Sequence, residues 1–319
     1  MVTFGYFLSS EQFGPRELVD QAERAERAGF ERLWISDHFH PWNDAQGQSP
    51  FVWGTIGALS QAVSLPITTA VTCPTVRLHP AIIAQAAATA AVQCEGRFVL
   101  GVGSGEALNE HIFGDPWPTA TTRLRMLEEA VGLIRRLLGG GMVNHDGEFY
   151  HVQDARIYTL PEDPVPIYVS GFGPRATRPA AEIGDGYCTV SPDRELIELF
   201  RSAGGGDKPV QAGTKVSWAR DEETGLDYAQ RLWATDLMPG QLSQTLPRPA
   251  DFEAAMTLVD RSAVAEQFAV GADPAVHIDQ LRQYLDAGAD EIYVQQVGPD
   301  LDGFFDAYEK EVLPALRGR

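Results

Sequence analysis

Residues 36–42 combine an imidazole, a carboxylate and an indole directly after the apolar run 33–35. The side chains concerned are Asp37, His38 and Trp42. Histidine is the side chain best suited to exchange a proton near neutral pH. An isolated Asp-His pair is more often a structural histidine beside a capping aspartate. Its position after a predicted strand favours catalysis, because the carboxyl ends of strands carry the active sites of parallel barrels.

A glycine-rich segment, 101–110, follows another predicted strand and contains Gly103, Ser104, Gly105 and Glu106. Glycine lets backbone approach a ligand closely, and peptides at a helix start can bind an anion. A glycine-rich strand end is weak evidence by itself. The acidic residue within it lies at the same expected face as His38, which predicts an acid/base pair.

A second glycine-rich segment, 169–176, leads into a predicted helix with Pro174 and Arg175 near its start. This arrangement predicts a phosphate cradle at the helix N-terminus. Barrels more often bind phosphate after strands seven and eight, so a cradle after strand five indicates a particular family. After strand three, the small residues around Ala70 and Cys73 would let a planar ligand lie against backbone.

Apolar and amphipathic segments alternate along the chain, and they must position these residues. The predicted strands are 3–7, 33–36, 67–72, 98–102, 165–169, 186–190, 210–218 and 291–294. The predicted helices are 15–28, 51–62, 80–91, 122–138, 173–183, 194–201, 224–234 and 300–316. Eight β/α repeats predict a single-domain (β/α)₈ TIM barrel over 1–319. A doubly wound sheet is less favoured, because no glycine fingerprint follows the first strand.

Two insertions interrupt these repeats. Residues 140–160 predict a β-hairpin with Asp146-Gly147 as its turn. Residues 237–260 begin with a segment rich in Pro, Gly and Gln, which predicts a long loop that could act as a lid.

The composition of the chain limits the kinds of binding partner that we expect. The net charge of −19 disfavours a nucleic-acid partner. No apolar run is long enough for a membrane span, and the first residues lead directly into a strand, so we expect a cytoplasmic protein. The three cysteines form no CxxC pair and no zinc spacing, and we predict no metal site.

Together these segments resemble the luciferase-like flavin and deazaflavin oxidoreductases. Within that group the likeness is to the coenzyme F420-dependent glucose-6-phosphate dehydrogenases and the related secondary-alcohol dehydrogenases. It covers nearly the whole chain. It rests on residues 10–13, 15–18, 36–39, 41–42 and 103–110, the last including Asn109. A joint match of this kind is far more specific than any single motif.

The resemblance implies a luciferase-like barrel, coenzyme F420, a homodimer and hydride transfer between an alcohol carbon and C5 of the deazaflavin. His38 matches the base that takes the hydroxyl proton, and Glu106 matches the acid that protonates N1 of the ring. Trp42 matches an aromatic residue near the reacting centre, and Glu11 matches a carboxylate that helps hold the site.

The resemblance also implies contacts with cofactor and substrate. Cofactor-contacting positions are Asp37, Cys73, Ser104, Gly105 and Asn109, and the phosphate cradle is Phe172, Gly173, Arg175 and Ala176. A cis peptide is implied between Ala70 and Val71. Thr189 and Arg194 are candidates for binding substrate.

One departure bears on the substrate. The sugar-phosphate members bind phosphate through lysines, and the corresponding positions here are near Asp193 and Ala254. Neither side chain is a cation, although Arg194, Arg248 and Arg261 are close in sequence. We therefore predict an alcohol other than glucose 6-phosphate, non-phosphorylated or more apolar. The alternatives are an FMN-dependent monooxygenase, a reductase that uses reduced F420, and a deazaflavin-binding barrel without turnover.

Overall fold

The computed structural model describes residues 2–317 of the chain and contains one nine-stranded sheet and a separate two-stranded hairpin. The strands are β1 (Thr3–Leu8), β2 (Arg32–Ile35), β3 (Ile67–Thr69), β4 (Phe98–Val102), β5 (Val143–Asp146), β6 (His151–Ala155), β7 (Ile167–Ser170), β8 (Gly186–Thr189), β9 (Val210–Ser217), β10 (Ala269–Val270) and β11 (Glu291–Gln296).

Eight of these strands close into a parallel barrel. β1 pairs with β2 and β11, while β9 pairs with both β8 and β11, so no free edge is left in the ring. The predicted (β/α)₈ TIM barrel is confirmed and the doubly wound sheet is excluded. The short β10, which was not predicted, lies beside the carboxyl end of β9.

Helices surround the barrel. They are α1 (Pro15–Arg27), α2 (Val52–Ala62), α3 (Pro80–Gln93), α4 (Ala107–Glu110), α5 (Ala120–Leu138), α6 (Pro174–Ile183), α7 (Arg194–Phe200), α8 (Glu222–Trp233), α9 (Leu242–Thr245), α10 (Pro249–Met256), α11 (Arg261–Gln267), α12 (Pro274–Ala287), α13 (Leu301–Ala307) and α14 (Leu313–Arg317). Many begin with proline, whose missing N–H costs nothing in the first turn. No helix in residues 2–317 is long and apolar enough to cross a membrane.

The amino-terminal half of the barrel interior is filled by aromatic side chains. Trp34 stacks on Tyr293 with ring centroids 4.5 Å apart. The Trp34 indole donates to Gln211 Oε1 at 2.8 Å, and the Gln211 amide donates to Glu291 at 2.8 Å. These side chains pack closely, and their buried polar atoms have hydrogen-bond partners because they bond to one another. The functional residues therefore lie at the opposite, carboxyl end.

The first insertion is a hairpin, as predicted, but its turn is longer than Asp146-Gly147. Asp146 pairs with His151, and the Gly147 N–H donates to the Tyr150 carbonyl at 3.0 Å. The loop is therefore 147–150. Glu129 on α5 stabilises it by accepting the Tyr150 N–H at 3.0 Å, a contact that local turn chemistry does not reveal.

The second insertion is more ordered than the predicted loop. It contains the short helices α9 and α10, and Phe252 of α10 is fully buried. The Phe252 ring packs edge-on against Trp42, with centroids 5.2 Å apart. The helices α11 and α12 that follow were also missed. The sequence signal of α9, α10 and α11 is weak because such short helices depend on tertiary packing rather than on local propensity, but this does not apply to α12, which has 14 residues.

The close approach of β3 and β4 yields a first prediction. A Cβ at Gly101 would lie 1.9 Å from the carbonyl oxygen of Thr69. The two residues are further joined by two hydrogen bonds of Thr69 Oγ1, each 2.9 Å long. We expect Gly101→Ala to lower the free energy of unfolding by about 3 kcal/mol, measured by urea denaturation.

The matched control is Gly132→Ala on α5, where a Cβ would have no atom within 4 Å. This change should raise stability by roughly 0.5–1 kcal/mol, since glycine inside a helix is costly. Equal stability of the Gly101 variant and the wild type would contradict the close packing described.

Candidate active site

His38 follows β2 and lies between two carboxylates. Its Nε2 is 3.3 Å from Glu11 Oε1 and 3.8 Å from Glu106 Oε1. The Trp42 ring lies beside it, with ring centroids 5.0 Å apart. Only 11% of the His38 side chain is exposed. The ends of β1, β2 and β4 thus bring the four predicted catalytic residues into one cluster.

Glu11 is anchored from behind. Its Oε2 accepts hydrogen bonds from Ser9 Oγ at 2.9 Å and Ser36 Oγ at 2.7 Å. The residue is buried, and its other oxygen faces His38. A carboxylate fixed in this way can stabilise a positive charge on the imidazole without moving.

Asn109 connects His38 to Glu106. Its Oδ1 accepts the backbone N–H groups of Phe39 at 2.8 Å and His40 at 3.0 Å, which defines the amide orientation. Its Nδ2 then donates to Glu106 Oε1 and approaches His38 Nδ1 at 3.0 Å. The resemblance placed Asn109 against the cofactor, and the structure places it among the catalytic candidates.

The His38 ring can carry its proton on either nitrogen. Nδ1 lies 3.0 Å from the Asn109 amide, a donor, and 3.2 Å from the His40 carbonyl, an acceptor. Nε2, on the other side of the ring, faces the two carboxylates.

Asp37 is held beneath this cluster rather than facing it. Its Oδ1 accepts from Arg77 Nη2 at 2.8 Å, and its Oδ2 accepts from Thr72 Oγ1 at 2.8 Å. The carboxylate is fully buried, and both oxygens have protein partners. Both oxygens of Asp37, which the resemblance predicts to contact the cofactor, thus bond to residues of the segment that follows β3.

Sequence reasoning missed Glu110 and Arg77. Glu110 Oε2 accepts the Arg77 N–H at 2.5 Å, and its Oε1 lies 3.5 Å from Arg77 Nε. Burial raises the pKa of Glu110 to about 7, against the lowering effect of the Arg77 N–H and guanidinium. The only sequence signal was an arginine within a loop of small residues. Arg77 thus joins Asp37 to Glu110 behind the site.

Backbone forms one wall of the mouth. The peptide between Ala70 and Val71 is cis, as the resemblance implied. A Cβ at Gly105, whose φ is +74°, would lie 2.4 Å from Cys73 Sγ. Burial and the Glu110 charge raise the pKa of the Cys73 thiol, which makes it an unreactive wall group. Ser104, beside Gly105, is half-buried.

The N-terminus of α6 is open. Its cap, Gly173, makes no side-chain hydrogen bond, and a Cβ there would have no atom within 4 Å. Phe172 is 55% exposed, and Arg175 donates to Thr121 Oγ1 at 2.8 Å. Ala176 packs against Gly171, 3.1 Å from where a Cβ would lie. An uncapped helix start is suited to an anion such as phosphate. Here Pro174 has no N–H, and the Ala176 N–H is bonded to the Gly173 carbonyl at 3.0 Å.

The predicted substrate residues are not part of the His38 cluster. Thr189 is buried at the end of β8. The Arg194 guanidinium donates to the Asp286 carbonyl near the end of α12, in the outer helix layer. Arg248 pairs with Asp251, and Arg261 pairs with Glu223 and Asp227. Each of these three arginines therefore pairs with another group of the chain.

Fold and site together define a TIM-barrel oxidoreductase of the luciferase-like class. The family model described as "Luciferase-like monooxygenase" matches residues 2–291, and the chain belongs to this family.

Three individual proteins match this chain over nearly its whole length. An F420-dependent glucose-6-phosphate dehydrogenase of Microbacterium testaceum (strain StLB037) is 37% identical, over 99% of this chain and 98% of the relative. One from Intrasporangium calvum is also 37% identical and is covered over 100% of both chains. A solved F420-dependent secondary alcohol dehydrogenase, in complex with an F420-acetone adduct, superposes with a TM-score of 0.93. It is 32% identical, over 99% of each chain.

The raised pKa of Glu110 predicts a pH-dependent stability. Its pKa is about 7 when folded against an ordinary value of 4.5, so the folded state binds more protons between these values. Stability contributed by this group is present at low pH and is lost as pH rises through 7. The stability of wild type relative to Glu110→Gln should fall by about 2 kcal/mol between about pH 5 and about pH 8.

Urea denaturation at several pH values measures this difference. Glu162→Gln, at an exposed loop position, is the matched control and should run parallel to wild type. A Glu110→Gln curve that also runs parallel would contradict the assignment.

Proposed function

We propose that this protein is an F420-dependent oxidoreductase that moves a hydride between an alcohol carbon and the deazaflavin, with His38 as base. The observation that carries the proposal is the contact of His38 Nε2 with the two carboxylates at the barrel mouth, 3.3 and 3.8 Å away. An alcohol oxidation needs a group that accepts the hydroxyl proton, and an imidazole is suited to that role. The relatives named as F420-dependent dehydrogenases support the same chemistry.

The described residues fit the cofactor. The uncapped start of α6, from Gly173 to Ala176, would hold its phosphate. Ala70, Val71 and Gly105, each partly exposed, would line one side of its planar ring. When bound, F420 accepts or returns the hydride at C5 of its ring. Protein side chains then need only orient the alcohol and move protons.

His38 and Glu11 act together in this proposal. His38 accepts the hydroxyl proton at Nε2, and Glu11 Oε1 stabilises the imidazolium that results. Because Glu11 is already fixed by Ser9 and Ser36, this stabilisation requires no reorganisation during the reaction.

Glu106 is the proposed acid on the cofactor side. Its side chain is 25% exposed, in contrast to the buried Glu11, and Asn109 Nδ2 binds its Oε1. The remaining oxygen is free to carry a proton to the ring. Trp42, supported by Phe252, shields the reacting region from water on the lid side.

The substrate and setting are part of the proposal. The arginines bound elsewhere and the absent lysines support an alcohol other than glucose 6-phosphate. We further propose a cytoplasmic homodimer. The dimer rests on the family resemblance, and Cys73, Cys94 and Cys188, which are buried and free, suit a reducing compartment.

A titration with oxidised F420 tests the function. We expect saturable binding, and then loss of the oxidised absorbance band when a suitable secondary alcohol is added. The panel includes glucose 6-phosphate, whose efficient and selective turnover would contradict the substrate proposal. Tight binding of FMN with oxygen consumption, and no reaction with F420, would contradict the function.

His38→Gln tests the base. The amide cannot accept the proton, so kcat should fall by about 10²–10⁴-fold while the protein still binds F420. His151→Gln is the control, since His151 is exposed on β6 and pairs with Asp146. Unchanged kcat in the His38 variant would exclude this residue as the base.

A further inference from the structure

Lys215 enters the barrel from β9, toward the same end as His38. Residues 211, 213 and 215 share one face of the strand. Gln211 on that face binds the Trp34 indole, and a Cβ at Gly213 would lie 2.5 Å from the Trp34 ring. That face is therefore the barrel interior. Lys215 is one step nearer the carboxyl end, where the candidate site lies.

The Lys215 ammonium is paired rather than free. Its Nζ lies 2.6 Å from Asp236 Oδ2 and 4.2 Å from the centroid of the Trp233 ring. The two charged side chains are 13% and 29% exposed, so a ligand can still reach them. The pair combines a donor and an acceptor and has no net charge.

The ion pair is connected to the segment after β1 that contains Glu11. The indole N–H of Trp233 donates to Gln12 Oε1 at 2.6 Å. Gln12 is adjacent in sequence to Glu11, which contacts His38. The route from Lys215 to His38 therefore passes through Trp233 and two consecutive residues after β1. A substrate whose carbinol is bound at His38 can extend toward the pair.

A small cavity adjoins the ion pair. Its volume is about 20 Å³, and Phe7, Gly213, Lys215, Asp236, Gln267 and Phe268 are among the residues that line it. A water molecule needs roughly 10–15 Å³ measured in this way, so the space admits one hydroxyl-sized group.

We infer that Lys215 and Asp236 form a substrate subsite for an uncharged hydroxyl remote from the carbinol that His38 serves. A hydroxyl accepts from the ammonium and donates to the carboxylate, so it uses both partners. A phosphate dianion would meet the Asp236 charge and would have to displace it. The subsite selects hydroxylated, non-phosphorylated alcohols. This inference rests on the proposed function, which it makes more specific.

The first test needs neither F420 nor turnover. Calorimetry with inorganic phosphate should detect little binding to wild type. In Asp236→Asn, which frees Lys215, affinity for phosphate should rise by about tenfold or more. The double variant Asp236→Asn with Lys215→Met should lose this gain. Asp306→Asn is the matched control, because it frees Lys310 from a comparable 2.8 Å pair on the surface.

Asp236→Ala should behave like Asp236→Asn, and circular dichroism confirms that each variant is folded. No gain in phosphate affinity on removing the carboxylate would overturn the inference. So would a gain that survives Lys215→Met, or an equal gain in Asp306→Asn.

The second test uses turnover with F420. Pairs of secondary alcohols that differ only by a remote hydroxyl are compared through their ratio of kcat/KM. In Lys215→Met the preference for the hydroxylated member should fall by about tenfold, the effect of a lost hydrogen bond to a charged group. An unchanged ratio would overturn the subsite. If no alcohol reacts with wild type, the proposed function fails, whereas failure of the phosphate experiment alone overturns only the pairing of Lys215 with Asp236 on which the subsite depends.

Discussion

The buried ion pair of Arg77 with Asp37 is the interaction on which the site depends. Both side chains are almost wholly removed from water, and Arg77 Nη2 lies 2.8 Å from Asp37 Oδ1. Removing one partner of such a pair leaves an unpaired buried charge, which is strongly destabilising. Asp37 immediately precedes His38, and the Arg77 N–H binds Glu110, one residue after Asn109. The same pair therefore determines where the imidazole leaves β2 and where the segment with Glu106 and Asn109 leaves β4.

The carboxylates of Glu11, Glu106 and Glu110 differ in their surroundings, and the surroundings limit the chemistry that each can support. Glu11 is buried and held by two serine hydroxyls, which suits a fixed negative charge beside His38. Glu106 is partly exposed and bound on one oxygen, which suits exchange of a proton. Glu110 is buried next to other acids, and burial raises its pKa to about 7. Environment, and not residue type, distinguishes the roles proposed for Glu11 and Glu106.

The basic side chains considered for substrate binding are also paired. Lys215 is the cation that faces the barrel interior from β9, and Asp236 neutralises it. Arg194, Arg248 and Arg261 are bound in the outer layer or on the lid. A chain with a net charge of −19 already repels anions, and these pairings leave little local charge to offset that repulsion.

The sequence by itself determined the alternation of strands and helices, and so the barrel. It also placed Asp37, His38 and Glu106 at strand ends. These features are local, because side-chain periodicity and strand ends are visible in short windows. Glu11 and the roles of the cluster came from the family resemblance, and the structure shows that the residues meet. Only the tertiary structure decided that Asp37 faces inward, that Glu110 is buried, that Arg194 points away and that Lys215 is paired with Asp236. Burial and charge pairing join residues that are distant in the chain, so no local pattern records them.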